Sequence, residues 1–306
     1  MKGLELSQRY FETFGIPMLA SFGEAGTLVS AGLAGYGSEC YGYDDELSTD
    51  HDFGPRFYLW IDDETDRKIG FELMRAYRRL PTEFMGYRND RHSLFGENRG
   101  GVVTVKDFFR QFTGLERIPE RPVEWLFIPE HALSAAVNGI VFREGCKEFD
   151  DYRNRLIDGM PDATRRKKIA ARLAVMAQSG QYNLKRCLIR NDRGAAGLAA
   201  AEFVNKGLEL LFLLNCRYAP YYKWIFRAAK ELPVLADLVA MFESVLTETP
   251  GDRTVETVET ICQRIVSELQ RKGYTRLTET YLEPHAVEIY TSIRDPELIG
   301  LHLMEG

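Results

Sequence analysis

The sequence has little of what marks several large functional classes. Its five cysteines (Cys40, Cys146, Cys187, Cys216 and Cys262) are scattered, odd in number and form no Cys-x-x-Cys. That pattern argues against a disulfide framework or a thiolate zinc site and fits reduced cytosolic thiols. No stretch reaches the roughly 18 apolar residues that a membrane-spanning helix needs. Glu5, Arg9 and Glu12 interrupt the first apolar stretch, so it lacks a signal-peptide core. Basic charge is in deficit, with 39 Lys and Arg against 45 Asp and Glu and a net charge of −6. An acidic surface repels polyanions and argues against long RNA or DNA as a partner. Histidine is scarce, and none falls between residues 132 and 284. The back half therefore has no Arg-x(4–6)-His of the ribonuclease kind. The expectation is a cytoplasmic protein with no membrane partner.

What is present suits packed cores. A chain of 306 residues, 45% hydrophobic and 12% aromatic, is long enough for two domains. Leu6, Tyr10 and Phe14 recur at helical spacing, and Gly15-Ile16-Pro17 is expected to end that first helix. Strands are predicted within 27–36 and at 57–61, where Phe57, Leu59 and Ile61 alternate with Tyr58 and Trp60. Residues 66–80 read as a helix. Further strands are predicted at 102–105, at 123–128, and at 140–142 after an Asn138-Gly139 turn. Past residue 150 strand signals vanish. Helices are predicted at 162–180 with Asp162 as cap, and at 195–216, 220–231, 233–248 and 253–272. Breaks fall at Ser179-Gly180 and at Pro220, Pro233 and Pro250. The expected architecture is α+β: a mixed α/β domain over 1–155 and a helical bundle over 156–306. The basic run Arg165-Arg166-Lys167-Lys168 would spread around a helix start and reads as solvated.

Chemistry concentrates in 35–61. Gly37-Ser38 follows the first strand, and Asp50-His51-Asp52 precedes the second. On an extended segment Asp50 and Asp52 project to one face, with His51 on the other as a packed or exposed residue. Paired carboxylates suit Mg²⁺ that also binds substrate phosphates, and two such ions can hold both the attacking and the leaving oxygen. Backbone amides at Gly37-Ser38 suit a polyphosphate, with Gly35 and Gly42 permitting close approach. The acidic pair alone is uninformative, because chance supplies about 7 such i, i+2 pairs in this composition. The order of strand, glycine turn, spacer, acidic pair and aromatic strand gives it meaning.

That stretch resembles the signature of the polymerase-β-like nucleotidyltransferase superfamily, in which a Gly-Ser pair precedes an Asp-x-Asp pair. Residues 123–130 and 218–224 resemble an uncharacterised bacterial nucleotidyltransferase-like group, similar in layout to kanamycin nucleotidyltransferase. The resemblance implies Mg²⁺ and a nucleoside triphosphate, ATP in first place, bound through Gly37, Ser38, Asp50 and Asp52. It also implies a third carboxylate on a later strand, as metal ligand or base. Glu124 is the first candidate and Asp107 the second. Lys223, Lys185 and Lys206 are candidates for triphosphate contact. One departure stands out: Gly54-Pro55-Arg56 interrupts the run from the acidic pair into the strand. Proline belongs at a strand's start, edge or bulge. The expected activity is transfer of a nucleoside monophosphate to a hydroxyl of a small molecule, by a monomer or a homodimer. The alternatives are nucleotidylation of a protein, and a non-catalytic nucleotide- or partner-binding module.

Overall fold

In the computed structural model, residues 1–49, 53–89 and 100–306 are described. The chain is α+β, with helices predominating over a small mixed sheet. It divides into two compact units, one comprising Met1–Ile118 and Ala132–Asp158, the other Pro119–His131 and Gly159–Gly306. The segment Pro119–His131 thus packs with the helical unit, an exchange that one boundary near residue 155 does not contain.

Six strands are described: β1 Ser30–Leu33, β2 Tyr58–Ile61, β3 Glu83–Phe84, β4 Tyr87–Arg88, β5 Gly101–Thr104 and β6 Ile140–Arg143. Four of them form one sheet in the order β5-β2-β1-β6, and β3-β4 is a separate hairpin. β1 runs antiparallel to β2 and β6, whereas β2 and β5 are parallel. Every residue of β2 is buried, so the sheet is covered on both faces at its centre. Leu59 and Ile61 join Tyr10, Phe11, Val29 and Ala31 in one core cluster. Trp60 stacks on Phe149 at 4.0 Å and meets Phe108 edge-on at 5.2 Å. Each large apolar side chain buried in this way contributes about 1.5–3 kcal/mol relative to exposure.

The first helix does not end at Gly15. Gly3–Tyr10 continues through a π-helical turn, Phe11–Gly15, into Ile16–Ala20. The wider turn accommodates Pro17, which has no N–H to donate. Gly15 serves packing, since a Cβ there would lie 2.3 Å from the Phe11 ring.

In the helical unit, Asp162–Met176 packs against Arg193–Leu214 and Leu282–Thr291. The expected break at Ser179-Gly180 is absent: the helix runs on through a π-helical stretch, Ala177–Leu184, into Lys185–Ile189. Ser179 Oγ donates to the Val175 carbonyl at 2.7 Å, and a Cβ on Gly180 would lie 2.3 Å from the Phe203 ring. Glycine here admits a neighbouring helix. Asp162 lies in the first turn rather than at the cap, paired with Arg166 at 2.7 Å. Pro220 also lies ahead of its helix, which begins at Tyr222. Among the described residues no strand follows residue 143, and no helix is long and apolar enough to cross a membrane.

The expectation of a solvated Arg165–Lys168 run is corrected. Lys167 and Lys168 are fully buried. Lys167 Nζ donates to the carbonyls of His302, Leu303 and Glu305 at 2.6, 3.2 and 2.6 Å. Burial pushes its ammonium down to about 8. Lys168 lies 3.4 Å from the Glu130 carboxylate, which Arg172 also contacts at 3.0 Å. Arg172 lies 2.9 Å from Glu209 as well. Burial alone would raise the Glu130 pKa, but Lys168 and Arg172 overcome it and hold the carboxyl below the usual glutamate value of 4.5. For Lys168, burial outweighs the attraction of Glu130 and draws the ammonium down from the usual lysine range.

Removing Glu130 would leave two buried cations short of their shared partner. Glu130→Gln is expected to lower unfolding free energy by about 3–5 kcal/mol, measured by chemical denaturation at pH 7. A carboxyl with a depressed folded pKa stabilises above the unfolded value and loses that contribution as pH falls through the folded one. The gap between wild type and Glu130→Gln is therefore expected to narrow below pH 4.5.

Candidate functional site

β1 leaves the sheet at Leu33 and turns through Gly35, Tyr36 and Gly37 into a 3₁₀ turn, Ser38–Tyr41. Gly35 has φ +134°, a conformation open to glycine and strained for other residues. Both of its backbone groups are held by one side chain. Gly35 N–H donates to Asn138 Oδ1 at 2.9 Å, and Asn138 Nδ2 donates to the Gly35 carbonyl at 2.7 Å. Gly139 N–H then donates to the Cys40 carbonyl at 2.9 Å. The Asn138-Gly139 turn ahead of β6 therefore also fixes the glycine turn after β1. Gly42 closes the 3₁₀ turn in the left-handed region at φ 70°.

Gly37 is buried and Ser38 half-buried. Among the described residues the Ser38 hydroxyl has no hydrogen-bond partner. A narrow cleft opens beside the turn, lined by Gly35, Tyr36, Gly37, Glu39, Tyr58 and Phe112 among others. Among the described lining residues Glu39 alone carries a carboxylate. That carboxylate accepts from buried Arg56 at 2.6 Å, so the cleft holds a neutralised pair. Burial pushes the Tyr41 phenol, which donates to Ser134 at 3.3 Å, up to about 12.

Because β1 and β2 are antiparallel with Gly32 opposite Tyr58, the exit from β1 and the entrance to β2 share one end of the sheet. Asp50, His51 and Asp52 lie outside the described residues. Gly54 and Pro55 are described, and they form a bend ahead of β2, which begins at Tyr58. The proline takes no place in the ladder. Asn89 Nδ2 donates to its carbonyl at 3.1 Å, and a Cβ on Gly54 would come within 2.7 Å of the Arg88 carbonyl. The interruption is thus a close crossing with the end of β4.

Glu124 does not enter a strand. Residues Pro122–Phe127 form a helix, with Pro122 at its start and Glu124 in its first turn. The Glu124 carboxylate accepts from the backbone of Glu120 at 2.9 Å and Arg121 at 3.2 Å, and pairs with Arg121 Nε at 3.3 Å. It closes a helix start, and it belongs to the helical unit rather than the unit that carries Gly37 and Ser38. Asp107 lies in the first turn of Val105–Thr113, half exposed, paired with Arg110 at 2.7 Å. Lys185, Lys206 and Lys223 are all in the helical unit. Lys185 is exposed at the start of Lys185–Ile189, Lys206 pairs with Glu209 at 3.1 Å, and exposed Lys223 lies 4.9 Å from the Trp224 ring centroid. Among the described residues no cluster of three or more His, Cys, Asp or Glu side chains could hold a metal.

Sequence reasoning missed Asn138 as a clamp and the Glu39–Arg56 pair. A charged residue wedged between Pro55 and the apolar run from Phe57 was the available sign of the latter. Asn138→Ala removes both hydrogen bonds to Gly35, and is expected to cost about 1–3 kcal/mol of stability in thermal or denaturant unfolding.

Among curated proteins, none matches the chain. Residues 125–225 match the model of a domain of unknown function, DUF4037. The match takes in Lys185 and Lys223 and leaves out the Gly35–Ser38 turn. By sequence, then, the chain is similar over less than half its length to a domain whose description names no activity.

Proposed function

We propose that the protein is a Mg²⁺-dependent nucleotidyltransferase that moves a nucleoside monophosphate, AMP from ATP in first place, onto a hydroxyl of a small molecule. One observation carries the reading. A clamped glycine turn leaves β1 at the end of the sheet where its antiparallel neighbour β2 begins, and Asp50-His51-Asp52 stands shortly before β2 in the sequence.

In this reading the amides around Gly37 and the Ser38 hydroxyl receive the polyphosphate, and Asp50 and Asp52 hold the metal. Bound Mg²⁺ supplies charge neutralisation for the triphosphate and its leaving group. The acceptor oxygen forms a bond to the α-phosphorus, the bond from that phosphorus to the bridging oxygen breaks, and pyrophosphate departs. The chain's contribution is positioning and a fixed electrostatic frame. Hydrogen bonds from Asn138 keep the turn in shape before substrate arrives. The acceptor's proton passes to water, and the departing pyrophosphate carries off the bridging oxygen; the Glu124 carboxylate is occupied with its own helix start.

Asp52→Asn is expected to abolish Mg²⁺-dependent ATP binding in calorimetry and nucleotidyl transfer from labelled ATP, with an unchanged unfolding temperature. Transfer by that variant at the wild-type rate would refute the proposal. Incubation of labelled ATP with cell extract is expected to label small metabolites. Label in protein instead would reassign the acceptor to a polypeptide.

A further inference from the structure

Glu39 and Arg56 are both more than nine-tenths buried, and they join two segments that the fold brings to one end of the sheet. On one side, Glu39 sits in the 3₁₀ turn directly after Gly37 and Ser38. A Cβ on Gly37 would meet both Glu39 carboxylate oxygens at 2.4 Å, so the carboxylate lies hard against the turn's backbone. On the other side, Arg56 closes the Gly54-Pro55 bend that leads into β2. Neighbouring contacts brace the same junction. A Cβ on Gly3 would come within 2.7 Å of Glu39 Cβ and 3.1 Å of the Phe53 ring, and Gly3 N–H donates to buried Asp44 at 2.8 Å. Among the described residues Arg56 Nε has no hydrogen-bond partner, so its guanidinium is anchored through Glu39.

A buried pair of this kind is a costly way to gain stability, because desolvation offsets much of the attraction. What it supplies instead is direction: a charge-assisted bond fixes distance and angle where apolar contacts would slide. We propose that the Glu39–Arg56 pair is a positioning device, tying the Gly37-Ser38 turn to the bend entering β2 so that the phosphate-binding turn and the chain following Asp52 keep one register. The role in nucleotide binding rests on the function proposed above. The tie itself does not.

The test removes both charges together, so that neither is left buried alone. The double variant Glu39→Leu with Arg56→Met keeps volume and apolar packing, and is compared with wild type and with Glu39→Gln. Three measurements are made: unfolding temperature, peptide-level hydrogen exchange, and calorimetric binding of ATP with Mg²⁺. The double variant is expected to stay folded and to exchange faster at 35–42 and 53–58 together, with peptides of Arg193–Leu214 unchanged. Its Mg²⁺–ATP affinity is expected to fall at least about tenfold, the scale of loss when a supporting shell loosens a site. Unchanged exchange in the two segments of a folded double variant would overturn the tie. Coupled exchange with unaltered nucleotide affinity would overturn its positioning role. Coupled exchange in a protein whose wild type binds no Mg²⁺–ATP would support the tie and refute the nucleotide reading instead. Should the double variant fail to fold, the same comparison is made on Glu39→Gln with Arg56→Gln, which keeps polar side chains of similar length and again leaves neither charge buried alone.

Discussion

The antiparallel pairing of β1 with β2 is the constraint on which the candidate site depends. It sets Ser30 opposite Trp60 and Gly32 opposite Tyr58, and so brings the exit of one strand and the approach to the other to one end of the sheet. The pairing is secured by burial on both faces: Leu59 and Ile61 pack with the N-terminal helix, while Tyr58 and Trp60 pack with Phe108 and Phe149. A one-residue slip would exchange those faces and lose both sets of contacts, which makes register costly to change. β6 adds to β1 on its other side, and its leading Asn138-Gly139 turn reaches the same end. Gly139 cannot be replaced cheaply, since a Cβ there would lie 1.9 Å from the Leu33 carbonyl. Polar backbone at the end of the sheet is therefore shaped by the apolar register of its centre.

Much of this frame is legible in the sequence, for physical reasons. The alternation from Phe57 to Ile61, the valines at 102–105 and the Asn-Gly turn before Ile140 each give a period or a turn that has one local solution. The long helical periods of the back half are legible for the same reason. Residues 123–128 misled because Val, Trp, Leu, Phe and Ile favour strands, while the deciding features are positional. Pro122 suits a helix start, and Glu124 three residues past Arg121 completes a cap. At Ser179-Gly180 the sequence offered a breaker where the fold needed a small residue beneath Phe203. Glycine carries both meanings, and only the packing partner separates them.

Charge was the least legible layer. Lys167 and Lys168 look like solvated helix residues because their partners are distant in sequence: backbone carbonyls of 302–305 for one, Glu130 for the other. Asn138 and Arg56 escaped for the same reason, each acting on a turn far along the chain. Local propensity says nothing about contacts of that range, and single polar residues leave no periodic trace.

The two units use buried charge in different ways. In the helical unit Glu130 serves Lys168 and Arg172 at once, and Arg172 reaches on to Glu209, so Glu130 and Arg172 each have two charged partners. Losing any one of them exposes the others to uncompensated burial, and such a network defends a single arrangement of helices. Glu39 and Arg56 form instead a single bond between two loops at the end of a sheet. One bond adds little to the global fold, yet it is set where β1's turn meets β2's approach, beyond the last residue pair of the two strands. Its value lies in local geometry, which a directional charge-assisted bond fixes more closely than apolar contact. The Gly54-Pro55 bend fits the same logic. It carries the chain past the end of β4 and delivers Arg56 to Glu39, so the interruption ahead of β2 is the route by which β1's turn and β2's approach are tied together.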